Sequence, residues 1–161
     1  MGTLDEQIWE TLSHVADPEM KEVSVVDLGM IEKVDVQGSR VVVCALPTFM
    51  GCPALEIIER DITKAISSLT GVDAVSVKFL RDPAWTTNRI TDKGREALKR
   101  MGIAPPPVFE EEAGMWQVNC PYCESPFTTM ENLFGPTACR SILYCKACRN
   151  PFEAMKPVST L

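Results

Sequence analysis

Two short motifs in the last third of the chain, NCPYCES and LYCKACRN, limit its fold more than any other part of the sequence. Each is a C-x-x-C knuckle, Cys120/Cys123 and Cys145/Cys148, and 21 residues lie between them. That interval is just beyond the usual spacing of a four-cysteine zinc site. A knuckle turns its two thiolates toward one point, and two facing knuckles close a tetrahedron of sulfur around a metal. A module of about 45 residues buries too little apolar surface to fold unaided, so metal binding must supply folding free energy. Structural zinc is the plain reading. A redox dithiol fits less well, because a redox C-x-x-C sits at a helix start in a larger α/β domain. Four thiolates also suit iron or an iron–sulfur cluster. Cys139, in GPTACRS between the knuckles, reads as a buried thiol, with a substitute ligand as the alternative.

Upstream, the pattern is that of an α/β (α+β) domain: a small mixed sheet with flanking helices, followed by the C-terminal β-rich zinc ribbon. Residues 3–16 read as a helix, with Thr3 and Glu6 forming a capping box and Ile8, Leu12 and Val15 on one face. Asp17-Pro18-Glu19 is a turn with two carboxylates. Ile31–Val36 and Arg40–Leu46 are strand-like, joined by a hairpin turn in which Gly38 takes positive φ. Pro53–Leu69 is a helix by the spacing of Leu55, Ile58, Ile62, Ile66 and Leu69, and Gly71 ends it. A strand over 73–80 and a helix over 91–100, capped by Thr91, complete the pattern. Pro105-Pro106-Pro107 and Glu110-Glu111-Glu112 then mark a linker. The expected division is 1–104, a linker at 105–115, and the ribbon at 116–161, with net charges of −4, −3 and +1.

The stretch PTFMGCPALE contains the cysteine that reads as functional. Pro53 suits a first helical position, which puts Cys52 near the N-cap, where free backbone N–H groups and the helix dipole favour a thiolate. Ser, Thr, Asp or Asn would cap better, and Gly51 removes bulk beside the sulfur. A space-filling buried cysteine is the plain alternative, and that is the role expected of Cys44 in VVVCAL. A cysteine enzyme usually needs a histidine base. The single histidine, His14, reads as a helix-surface residue, so catalysis is not expected. VDLGM and FMGCPA match neither a P-loop nor a dinucleotide fingerprint. The net charge of −6 argues against a nucleic-acid partner. No run approaches 18 apolar residues, and MGTLDEQIWE is not a signal peptide, so no membrane partner and a cytoplasmic location are expected. There, seven cysteines are ligands or thiols rather than disulfides.

Together, DPEM, VVDLGMI and LPTFMGCP resemble the small α/β domain of iron–sulfur assembly proteins, including the SufT-type and cytosolic targeting factors, over residues 5–103. DPAWTTNRITDKGREALKRMGI and a ribbon containing FGPTACRS resemble the PaaD branch of that family. The resemblance implies an accessory role in bacterial phenylacetate catabolism. The protein would help assemble metal cofactors of the multicomponent phenylacetyl-CoA monooxygenase, which has a di-iron subunit and a [2Fe–2S] reductase. It implies Cys52, Asp17, Glu19 and Thr48 as residues of cluster or metal transfer. Relatives often carry Thr or Ser where Pro47 stands here. One cysteine cannot enclose a cluster, so a transient iron–sulfur cluster or iron would be shared with a second copy in a homodimer or with a partner subunit. The competing expectations are a structural or regulatory subunit that binds only zinc, and a cysteine thioesterase acting on a CoA thioester.

Overall fold

In the computed structural model, residues 2–48, 54–106, 118–136 and 140–156 are described. The chain separates into two compact units, Met1–Trp85 and Thr86–Leu161.

The first unit opens with α1 (Leu4–Leu12). Thr3 accepts the Glu6 N–H, and the Glu6 carboxylate accepts the Thr3 N–H, so the expected capping box is present. The helix stops at Leu12 rather than running to residue 16, because Val15 leaves the helix to accept the Val25 N–H at 2.8 Å. His14 therefore sits exposed in the turn after α1. Two short strands follow, β1 (Ala16–Asp17) and β2 (Met20–Ser24), paired antiparallel. The sheet proper is β3 (Ile31–Gln37), β4 (Arg40–Ala45) and β5 (Ala74–Phe79), in the order β3-β4-β5. β3 and β4 form the expected hairpin with Gly38 at φ 63°, and β5 returns parallel to β4 after α2 (Leu55–Ser67).

The register gives this sheet one apolar face. Val34 lies opposite Val43, Val36 opposite Val41, and Val41 and Val43 opposite Val75 and Val77. Ile58, Ile62 and Ile66 of α2 are all buried, each worth about 2–3 kcal/mol of apolar burial. The other face carries Lys33, Asp35, Arg40, Ser76 and Lys78, all exposed, as expected where one side of a sheet is wet. Cys44 lies on that face between Lys33 and Lys78, but is only 5% exposed. The apolar run Val25–Met30 is a set of turns, not a strand. Gly29 takes φ 71°, Met30 donates to Val25 O, and Trp85 donates from Nε1 to the buried Leu28 carbonyl at 2.7 Å.

The second unit contains α3 (Asp92–Arg100), capped by Thr91 as expected. Its sheet has the order β6-β9-β8-β7, built from β6 (Ile103–Ala104), β7 (Thr128–Asn132), β8 (Arg140–Cys145) and β9 (Pro151–Met155). The helix over 91–100 thus belongs with the ribbon and not with the first unit, unlike the division at 104 expected from the sequence. Two ties account for this. β6 pairs parallel with β9, and the Arg95 guanidinium donates to the carbonyls of Thr87 and Pro106. From residue 107 on, the expected linker lies outside the described residues. The core around the cysteines is Ala104, Val118, Leu143, Phe152 and Ala154 with Cys120 and Cys145. Three sizeable side chains cannot hold such a module without a further tie. No helix among the described residues is long and apolar enough to cross a membrane.

Candidate metal centre

The two knuckles are built alike. In the first, Cys120 donates its N–H to Ser125 O at 3.0 Å and accepts the Glu124 N–H on its carbonyl at 2.9 Å. In the second, Cys145 donates to Asn150 O and accepts the Arg149 N–H, both at 2.9 Å. The residue after each second cysteine, Glu124 and Arg149, takes φ 62°. This left-handed step closes the turn so that both sulfurs of a knuckle face inward, although neither residue is the glycine that the conformation favours.

The four sulfurs of Cys120, Cys123, Cys145 and Cys148 lie within 4.8 Å of one another. Cys120 Sγ is 3.7 Å from Cys148 Sγ, and Cys123 Sγ is 3.6 Å from Cys145 Sγ. A tetrahedron with zinc–sulfur bonds near 2.3 Å has sulfur–sulfur edges of about 3.8 Å, whereas a disulfide is about 2.05 Å long. The donor set therefore fits a tetrathiolate zinc ion. Backbone and side-chain N–H groups already point at the sulfurs: Tyr122 N to Cys120 at 3.4 Å, Cys148 N to Cys145 at 3.5 Å and Asn150 Nδ2 to Cys148 at 3.5 Å. Burial pushes the Cys120 thiol up to about 12, while the Cys148 N–H draws Cys145 down to about 7. Zinc would bring the charge that lets all four ionise together. Sequence reading missed Asn150 as a partner of the sulfur cluster. Its signal is position, since C-E-S and C-R-N occupy equivalent places after the two knuckles.

The candidate transfer residues lie in the first unit. Asp17 ends β1, and its Oδ1 accepts the N–H groups of Glu19 at 2.8 Å and Met20 at 3.2 Å. The carboxylate is buried and organises the turn, with Glu19 half-buried on it. Asp17 and His14 line a cleft of about 570 Å³ against Asp61 and Lys64 of α2. Thr48 is half-buried just beyond β4, in a segment whose start is fixed by Leu46 donating to Met30 O at 2.7 Å. Helical backbone reaches back to Ala54, which supplies no side-chain cap to α2. Cys52 and Cys139 lie outside the described residues.

Comparison with known proteins divides along the same lines. Residues 5–79 match the model of the iron–sulfur cluster assembly protein family, and residues 104–156 match that of the PaaD zinc β-ribbon domain. The chain is 39% identical to an Escherichia coli K12 protein whose name, "Putative 1,2-phenylacetyl-CoA epoxidase", makes it one component of that complex; the match spans 93% of this chain and 91% of that one. It is 32% identical to the Fe–S protein maturation auxiliary factor YitW of Bacillus subtilis, over 59% of this chain and 93% of the relative. Among solved structures, a domain of unknown function from Bacillus anthracis superposes with a TM-score of 0.56 at 27% identity. That match covers 59% of this chain and 91% of the other.

Proposed function

The chain belongs to the PaaD family, in which an iron–sulfur cluster assembly domain is joined to a zinc β-ribbon, and from that premise we propose that it matures a metal cofactor of a multicomponent phenylacetyl-CoA epoxidase. The observation that carries this reading is the Escherichia coli relative matched across both units, whose name points to that oxygenase. The maturation chemistry is supported by the Bacillus subtilis relative, which covers the first unit alone. In this reading the protein is not the epoxidising enzyme. Cys52 is the transfer ligand for an iron–sulfur cluster or iron as cargo, and Asp17, Glu19 and Thr48 form the edge beside it. A single thiolate per chain leaves most cluster positions to other ligands. A second copy or the receiving reductase or di-iron subunit supplies them, so the cargo is held loosely enough to leave.

The test is metallation of the recipient. Zinc, iron and acid-labile sulfide are measured per chain after anaerobic purification of wild type and Cys52→Ala, and again in the oxygenase subunits matured with each. The expected result is zinc in both proteins, iron and sulfide only in wild type, and an underfilled reductase or di-iron site with the variant. Full metallation of both subunits by Cys52→Ala would overturn the reading.

A second reading, a structural or regulatory subunit binding only zinc, has one observation in its favour. Phe127 and Phe134 of the ribbon are 70% and 72% exposed, and exposed aromatics mark association surfaces. Under that reading Cys52→Ala is silent, and removal of 105–161 abolishes association with the oxygenase.

A further inference from the structure

The four sulfurs of the metal centre are not equally placed. Cys145 is 0% and Cys120 1% exposed, and Cys148 is half-buried, while Cys123 is exposed. Across the site, the exposed sulfur faces one from the other knuckle: Cys145, at 3.6 Å. From this geometry we infer that Cys123 is an oxidation site for hydroperoxides, and that its oxidation closes a Cys123–Cys145 disulfide that discharges the zinc.

A small electrophile reaches the Cys123 sulfur without opening the ribbon, whereas Cys120 and Cys145 are shielded by the core they share with Leu143 and Phe152. Thiolates are the form that attacks, and metal ligation keeps Cys123 in that form. Its sulfur attacks the hydroxyl oxygen of the hydroperoxide, the O–O bond breaks, and the alkoxide leaves and takes a proton to become the alcohol. Cys123 is then a sulfenic acid. The Cys145 thiolate attacks that sulfur, the S–O bond breaks, and hydroxide leaves as water after protonation. Two thiolates have given two electrons, and the peroxide has become alcohol and water.

Forming the bond requires the two sulfurs to approach by roughly 1.6 Å, to about 2.05 Å. The N–H bonds that shape each knuckle run between backbone atoms and need not break. Two ligands are then lost from a site that needs four, so zinc leaves, and Cys120 and Cys148 take up protons. The cross-link joins the same two knuckles that the metal joined. The ribbon exchanges one tie for another.

The experiment uses zinc-loaded full-length protein and tert-butyl hydroperoxide. Zinc release is followed with a metallochromic dye, and the quenched protein is alkylated and peptide-mapped. Dimedone in a parallel sample traps sulfenic acid. The expected result is zinc release in step with a Cys123–Cys145 disulfide, with dimedone on Cys123. Cys145→Ser should accumulate the dimedone adduct and form no such disulfide. Cys123→Ser should release zinc at least tenfold more slowly; if it fails to hold zinc, the wild-type map decides alone. Zinc retained while peroxide is consumed elsewhere in the chain would overturn the inference. So would a first adduct on Cys120 or Cys148, or a disulfide within one knuckle.

Discussion

Asp17 offers a clean separation between holding a turn and handling a metal. A single oxygen, Oδ1, accepts the N–H groups of both Glu19 and Met20. Asp17→Ala removes that acceptor. Met20 is buried, so its stranded N–H costs about 1–3 kcal/mol. Glu19 is half-buried and its N–H can turn to water, which reduces its share to about 0.5–1 kcal/mol. The combined loss is about 2–4 kcal/mol, or a fall in Tm of roughly 10–20 °C for a unit of this size. Asp17→Asn keeps an oxygen at the Oδ1 position and should stay within about 1 kcal/mol of wild type. Thermal unfolding of the zinc-loaded full chain, followed by circular dichroism with the first unit's transition resolved, reads both variants. If alanine costs less than about 0.5 kcal/mol, or asparagine costs as much as alanine, the turn argument fails. The pair also bears on the proposed transfer role. An asparagine variant that stays folded yet no longer supports recipient metallation requires the negative charge itself; one that metallates normally confines Asp17 to the turn.

Two further outcomes concern the second unit. Stripping zinc with a strong chelator should melt β7–β9 and also α3, because β6 and Ala104 join that helix to the ribbon core. Hydrogen exchange at Ala97–Met101 should rise with that at Leu143, and protection persisting in α3 after zinc loss would show that the two fold apart. Glu124→Gly and Arg149→Gly should each stabilise the ribbon by about 0.5–1 kcal/mol, the relief of a left-handed non-glycine residue less the added freedom of glycine when unfolded. A loss of zinc affinity in either variant would show that the side chain itself is needed there.

The sequence was most legible where a few neighbouring residues decide the structure. Thr3 and Glu6 form the capping box from side chains three residues apart. Gly38 turns the β3–β4 hairpin, and the two knuckles announce their four sulfurs by spacing alone. It was least legible where a partner lies far along the chain. β1 has two residues and finds its place only because Val15 and Ala16 meet β2 and the turn after it. The apolar run Val25–Met30 has the composition of a strand, yet its carbonyls are taken by local turns and by the distant Trp85. β6 also has two residues, and Ile103 meets Glu153 across fifty positions. No periodicity signals such a pairing, so the helix before it was assigned to the wrong neighbour. The burial of three sulfurs and exposure of the fourth likewise depend on the packed ribbon, not on the C-x-x-C pattern.

The pairing of β6 with β9 has a consequence for how the chain is made. Synthesis runs from the N-terminus, so Met1–Trp85 can leave the ribosome and fold as a unit first. α3 and β6 emerge next, but the strand that β6 pairs with is nearly the last segment translated. Neither knuckle has its opposite until Cys148 has appeared. The newborn helix must therefore wait beside a finished first unit until the end of translation, and metal capture and closure of the second sheet fall together at the moment of release.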